Sequence, residues 1–344
     1  MKRISSFKPT GFAILLIIVV VILGSGSWAF SKQVVLRAAY YSPDNHPLTM
    51  AAKDVFANIE KLTQGRVKIK MYASHSLVPT KEMAAGVNDG TAFCANWYMP
   101  YMSKTIPLFQ VETLPVWTSG YYKAVIDSYE NGLNDLYTEA LHRQGLPNVN
   151  VAGVSMCLWR VVTTKDKLLK IPSDSKGMKI RSVGAEADMW RLIGASPVNI
   201  TTPQTYEALA RGVAEGATNY LETMMNRKWL EHTKYVTCIN LTPVLMHILY
   251  NNKMLAELDP QDRAIVKFGM ENLARYTRLR IFEREGYAFT EIPKVFGTEI
   301  YTPTFKEHQM WVKAAAPTVE KFEKSTDPLV QKALQILQKY NPKM

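Results

Sequence analysis

The sequence predicts an α/β protein of two lobes, each a mixed, mostly parallel sheet flanked by helices. Short apolar strand signals alternate with helical periods along most of the chain, the pattern of α/β units. At 344 residues the chain is long enough for two separate cores. No internal repeat, low-complexity tract or flexible linker separates the halves, so several crossings of the chain and a stiff hinge are expected to join them.

In order, an apolar strand over 34–40 leads into a loop over 42–47. Helical periodicity follows over 48–63 through Ala51, Ala52, Val55, Phe56, Ile59 and Leu62. Gln64-Gly65 ends that helix, and 67–72 alternates as a strand, completing a right-handed βαβ unit. A helix over 81–87 ends near Gly90, and a strand over 92–95 runs into Asn96-Trp97-Tyr98. A Pro-punctuated apolar connector over 108–116, a long amphipathic helix over 121–144 and a strand over 148–154 come next. Residues 155–164 read as one apolar strand with Arg160 inside it, a charge that must be paired, exposed at an edge, or waiting for an anion.

The most informative stretch is 177–234. Strand 178–180 delivers Arg181 at its end, helix 185–193 follows, and a second strand over 198–200 precedes a helix over 203–210. Asn219 closes the segment in a facing loop. Ligands of α/β sheets bind at the carboxyl ends of strands, which is where Arg181 falls. Beyond it, 236–239 and 246–250 read as strands, and 260–284, 305–324 and 328–340 as helices.

Hydrophobic content of 47% and charged content of 21% are those of a globular protein. The net charge of +11 is spread along the chain without a cluster or a motif, which argues against nucleic-acid binding and suits small anionic ligands. Three of the positive charges, Lys2, Arg3 and Lys8, precede an apolar run over 12–23 and small residues ending in Ser27-Trp28-Ala29. That is the pattern of a cleaved signal peptide over 1–29, with the mature chain starting near Phe30 and exported. Cys94, Cys157 and Cys238 allow at most one disulfide, have no metal-site spacing, and read best as buried free thiols.

Enzyme signatures are missing: no GxSxG, GxxxxGK[ST], GxGxxG or HExxH occurs, and the six histidines never pair at metal-binding spacing. No cofactor is expected. The positive signal is Arg160, Arg181 and Asn219. Arginine presents a planar fork that matches a carboxylate bidentately, and asparagine adds one donor and one acceptor.

Gly177-Met178-Lys179-Ile180-Arg181, Gly194-Ala195-Ser196-Pro197, Thr205-Tyr206-Glu207-Ala208-Leu209 and Gly212-Val213-Ala214-Glu215-Gly216 occur in that order. Lys228-Trp229 to Tyr235-Val236 follows, and Leu114-Pro115 precedes them all. In sequence and spacing these landmarks resemble the solute-binding subunits of tripartite ATP-independent periplasmic (TRAP) transporters, over essentially the whole chain after the signal segment. The resemblance implies a periplasmic-binding-protein-like fold whose lobes share a long helix and close on a ligand. The first lobe is expected over 30–156 and about 244–284. The second is expected over 157–243 and about 285–344, which includes the C-terminal helices.

It also implies that Arg181 clamps the substrate carboxylate, that Arg160 is the second arginine and Asn219 a partner, and that Asn45, His46, Asn96 and Trp97 supply contacts from the first lobe. Tyr220, Glu215 and Thr202 depart from the family pattern, which leaves the identity of the acid open. Trp159 and Tyr220 belong to an aromatic group, with Trp97, Tyr98, Met224 and Trp229, that either packs the core or stacks on ligand. Trp159 and Arg160 can both face the ligand only if the strand breaks between them. The implied protein is a monomeric periplasmic receptor, not an enzyme, that delivers a small organic acid to a small and a large membrane subunit. A periplasmic sensor subunit of the same fold, or an enzyme using the same cleft with His46 or His232 as its base, are the alternatives.

Overall fold

A computed structural model describes residues 33–115 and 122–340. The proposed signal segment, 1–29, lies outside the described residues. In chain order the strands are β1 (Val34–Tyr40), β2 (Val67–Tyr72), β3 (Cys94–Trp97), β4 (Val149–Trp159), β5 (Val161–Thr164) and β6 (Lys179–Arg181). They continue as β7 (Ser196–Val198), β8 (Gly216–Asn219), β9 (Tyr235–Thr237), β10 (Pro243–Asn251) and β11 (Glu299–Tyr301). The helices are α1 (Pro47–Leu62), α2 (Met83–Asn88), α3 (Tyr122–Ser128), α4 (Asn134–Arg143), α5 (Ala185–Leu192) and α6 (Thr205–Ala210). Then come α7 (Leu221–Asn226), α8 (Asn252–Ala256), α9 (Pro260–Phe296), α10 (Phe305–Glu323) and α11 (Pro328–Tyr340).

The strands form two sheets, ordered β2-β1-β3-β10-β4 and β11-β9-β5-β8-β6-β7. In the first, β1 pairs parallel with β2 and β3, and β10 runs antiparallel between β3 and β4. In the second, β6 is parallel to β7 and β8, while β5 runs antiparallel between β8 and β9. Separate apolar clusters bury both faces of the first sheet and both faces of the second. Each lobe is therefore a sheet with helices on either side, as the alternating sequence pattern predicts.

The chain passes between the sheets three times. The first passage is at Arg160, between β4 and β5; the second is the 238–242 segment before β10; the third is α9. The first passage falls after Trp159, three residues later than the expected boundary at 156, because β4 stays in the first sheet through its whole pairing with β10.

Helix α9 is one 37-residue helix, about 55 Å long at 1.5 Å per residue, where the sequence pattern ends it at 284. Asp259 caps its start by accepting from the Gln261 N–H, and Gly297 ends it at φ 64°. The apolar period fades because the buried face changes partner along the helix. Val266, Met270 and Leu273 enter a core of the first lobe, whereas Ala288 and Ile292 enter the second. A helix serving two cores in succession shows no single stripe.

The expected helix over 121–144 is interrupted between α3 and α4, where Gly132 adopts φ 139°. Ile336 of α11 packs so closely there that a Cβ on Gly132 would lie 2.8 Å from its Cδ1. Helix α11 thus packs on the first lobe, with Leu329, Val330, Ala333, Leu334 and Leu337 in that lobe's core, rather than on the second as expected.

Gly216 begins β8 at a point too tight for any side chain. An added Cβ would sit 2.7 Å from the Thr163 carbonyl oxygen and 2.9 Å from Ile180 Cδ1. Gly216→Ala should therefore push β8 from its neighbours and destabilise the fold by roughly 1–3 kcal/mol. Denaturant unfolding measures this, and an unchanged midpoint would contradict the packing described.

Candidate functional site

Strand ends from both lobes converge on one small cavity lined by Tyr41, Tyr98, Tyr101, Arg160, Arg181, Val183, Thr202, Asn219, Val244 and Met246. Arg181 ends β6 and Asn219 ends β8, parallel neighbours whose carboxyl ends therefore lie together. Tyr41 follows β1, and Tyr98 and Tyr101 follow β3, so the first lobe also contributes from the carboxyl ends of parallel strands. This is the crevice that open α/β sheets use for ligands.

Arg160 lies in the break between β4 and β5, not inside a continuous strand. Its backbone N–H donates to the Thr242 carbonyl and its carbonyl accepts from the Asn240 N–H, so the returning 240–242 segment holds the break open. The break lifts the alternation that would send Trp159 and Arg160 to opposite faces. Trp159 nonetheless packs, partly buried, against the first lobe's core and does not line the cavity.

The two arginines, both nearly fully buried, differ in their partners. Arg160 Nη1 lies 3.2 Å from Glu186 Oε2, and its Nη2 donates to the Tyr98 hydroxyl at 2.9 Å. Burial works against its charge, but Glu186 and Tyr98 outweigh that and hold its pKa above the usual arginine value. Arg181 has only neutral acceptors. Its Nε donates to the Ile200 carbonyl at 2.9 Å, Nη1 to the Thr218 carbonyl at 3.2 Å, and Nη2 to Thr202 Oγ1 at 3.2 Å. The guanidinium also lies 5.9 Å from the centre of the Trp229 ring. Burial pulls its pKa below the usual value, with Arg160 adding to the effect. No carboxylate among the described residues pairs with it.

Thr218 joins the two systems. Its carbonyl accepts from Arg181, while its hydroxyl donates to Glu186 Oε2 at 2.9 Å. Asn219 Oδ1 accepts from the Tyr220 N–H, which fixes the orientation of the side-chain amide.

Of the residues singled out in the sequence, Arg160, Arg181 and Asn219 meet in the cavity with Tyr98 and Thr202, and the others do not line it. His46 caps α1, its Nδ1 accepting from the Leu48 N–H, and its Nε2 lies 3.0 Å from Glu222 and 3.2 Å from the Tyr220 hydroxyl. His46 and Tyr220 thus form a buried contact between the lobes beside the cavity. Asn96 donates to Ser155 Oγ within the first sheet, Trp97 donates to the Thr80 carbonyl from the core, and Asn45 is exposed. Tyr41, Tyr101, Val183, Val244, Met246 and the Glu186 partner went unrecognised. A hint was present for Tyr101, which follows a strand end. None existed for Glu186, an ordinary acidic residue in the first turn of an amphipathic helix.

The family model of the bacterial extracellular solute-binding proteins, family 7 (DctP), matches residues 38–325. The chain belongs to that family, the solute-binding proteins of TRAP transporters. It is 22% identical over 298 residues to the C4-dicarboxylate-binding protein DctB of Bacillus subtilis, spanning 85% of this chain and 83% of that one. It is 20% identical over 294 residues to the sialic acid-binding periplasmic protein SiaP of Vibrio cholerae, spanning 82% and 86%. Among solved structures, a TRAP periplasmic solute-binding protein of Shewanella oneidensis with bound succinate superposes with a TM-score of 0.81 at 17% identity, covering 90% of this chain and 100% of that one. One from Chromohalobacter salexigens with bound D-glucuronate gives 0.80 at 18% identity, covering 89% and 100%. These likenesses establish the two-lobed fold.

Beneath Asn219, the shared helix supports the site directly. Glu285 of α9 accepts from the backbone N–H groups of Leu221 and Glu222, at 2.9 and 2.8 Å, where α7 begins. Burial raises its pKa from 4.5 to about 7, the two N–H groups resist, and Glu222 adds to the rise. A folded-state pKa above the unfolded one means that the associated stability is complete below about pH 4.5 and is lost as pH rises through about 7. Glu285→Gln, which cannot ionise, should remove up to about 3 kcal/mol of this pH dependence. Denaturant unfolding of both proteins between pH 5 and 8 tests it; parallel pH profiles would show that Glu285 does not titrate in this range.

Proposed function

We propose that this chain is the extracytoplasmic receptor of a TRAP transporter that closes its lobes on a small organic acid, anchors the carboxylate on Arg181, and delivers it to the small and large membrane subunits. Arg181 carries this reading. A guanidinium has five N–H donors, and Arg181 spends one from each of its three nitrogens on neutral acceptors. One N–H remains on each terminal nitrogen, the arrangement that a carboxylate accepts bidentately. A buried cation without an acidic partner is unfavourable, so an anion arriving there relieves a cost that the folded protein already bears. Asn219, whose carbonyl end is engaged, offers its amide N–H₂ group to the same ligand.

Closure follows from where the contacts lie. Tyr101 of the first lobe accepts from the Thr202 N–H of the second at 3.3 Å, and Arg227 sits 5.5 Å from the Tyr41 ring. A ligand seated on Arg181 and touching the tyrosines stabilises the closed arrangement through contacts the open one lacks. The receptor reading is favoured over the enzyme one because the cavity lining holds no histidine, carboxylate, lysine or thiol to act as base or nucleophile. The names of the relatives and neighbours, which specify dicarboxylate, sialic acid, succinate and glucuronate, agree on an acid as the class of ligand. Export through the N-terminal segment places the receptor in the periplasm.

A thermal-shift screen of organic acids should identify ligands through the rise in melting temperature on binding. Titration calorimetry with the best of them should then show Arg181→Lys losing affinity about 100-fold, since lysine offers a point charge without the fork. Unchanged affinity in a normally folded Arg181→Lys protein would refute the anchor role.

A further inference from the structure

We propose that Glu186 restricts the cleft to monocarboxylates by neutralising Arg160 from within the protein, which leaves Arg181 as the single uncompensated cation facing the ligand. The inference rests on the carboxylate reading above and specifies its substrate class.

Arg160 and Arg181 are 2% and 1% exposed and Glu186 is 1% exposed, so bulk water screens none of them well. Glu186 is held by Arg160 at 3.2 Å and by the Thr218 hydroxyl at 2.9 Å, and it does not line the cavity itself. Arg160 is committed in turn: Nη1 to Glu186, Nη2 to Tyr98, and Nε, buried, without a partner. It keeps one N–H on each terminal nitrogen, as Arg181 does, but its charge is already balanced by Glu186 and that of Arg181 is not.

Glu112, the remaining acid close to Arg160, sits behind it against His247 at 3.5 Å and lines no part of the cavity. Burial pushes the Glu112 carboxyl well up, with Arg160 opposing the shift. Lys81, Lys104, Asp188 and Arg191 border the adjoining groove but are exposed or partly exposed, and solvent weakens their influence on a buried ligand.

Two guanidiniums line the cavity and one carboxylate, Glu186, pairs with one of them, an excess of one positive charge among these three groups. A monocarboxylate balances it, whereas a second carboxylate would enter as an unpaired buried anion beside Glu186, which repels it. The rest of the lining suits an uncharged body: Tyr41, Tyr98 and Tyr101 offer ring faces and hydroxyls, and Val183, Val244 and Met246 are apolar. Glu186 acts here as a specificity-determining residue that reaches the ligand through Arg160.

The test uses titration calorimetry at pH 7.5 on the full-length mature protein with acids matched in body and differing by one carboxylate: propionate and succinate, lactate and malate, benzoate and phthalate, galactonate and galactarate. The unmodified protein should bind the tighter monocarboxylates at least about tenfold better than their dicarboxylate partners. Glu186→Gln keeps the side-chain shape and frees Arg160 as a second cation, so it should move that ratio about tenfold or more towards the dicarboxylates. Arg181→Lys, by contrast, should weaken both members of a pair alike.

Dicarboxylates bound as tightly as their partners by the unmodified protein would overturn the proposal while leaving the receptor reading intact. A ratio unchanged in Glu186→Gln would do the same. Binding of none of the eight acids would overturn the carboxylate reading and this inference with it. The comparison in the unmodified protein stands on its own should the Glu186 variant fail to fold.

Discussion

A buried guanidinium without an acidic partner is the constraint on which the rest of this structure depends. Arg181 is almost completely removed from water, yet only two carbonyls and a hydroxyl receive its hydrogen bonds. Neutral acceptors solvate a cation less well than water does, so the free protein holds this charge at a cost. That cost is tolerable because the strands around it are fixed by two packed cores and a tight β5–β8–β6 contact that admits no side chain at Gly216. The second arginine is handled differently. Arg160 meets Glu186 in a buried ion pair, and one site thereby holds a compensated and an uncompensated cation side by side.

The same site doubles as the seam between lobes. Tyr98 reaches Arg160 and Tyr101 reaches Thr202 from the far side, while His46 and Tyr220 meet beside Glu222. Three passages between the sheets and the return of α11 to the first lobe tie the lobes together, and the longest passage, α9, runs from one core into the other as a continuous helix. Through Glu285 it also grips the start of α7, next to Asn219. Glu285 thus links the helix that spans both cores to the backbone that carries a cavity residue. Two of the passages between sheets are short and lie at element ends, at Arg160 and around Asn240, whose φ of 47° marks a sharp turn.

Helix α11 shows how far chain order can mislead about packing. Last in sequence, it lies on the first lobe, and Ile336 presses against Gly132 where the neighbouring helix is interrupted. Its five buried apolar residues join the core built with α3, α4 and the connector before them.

What the sequence determined by itself was local. Period-2 and period-3.6 patterns placed most strands and helices, and ordered landmarks from Gly177 to Val236 carried the family. Arg160, Arg181 and Asn219 were legible because each is a polar group at the end of an apolar segment, a signal that depends only on neighbours in the chain. The tertiary structure decided the rest. It continued α9 beyond 284, interrupted the helix at Gly132, moved α11 to the first lobe, and assigned His46, Asn96 and Trp97 to caps and core. It also paired Arg160 with Glu186, which no spacing could announce, and left Arg181 unpaired. The reason is physical: the charge state and availability of a buried group depend on which groups surround it in space and how much water they exclude, and neither is written in the residues beside it.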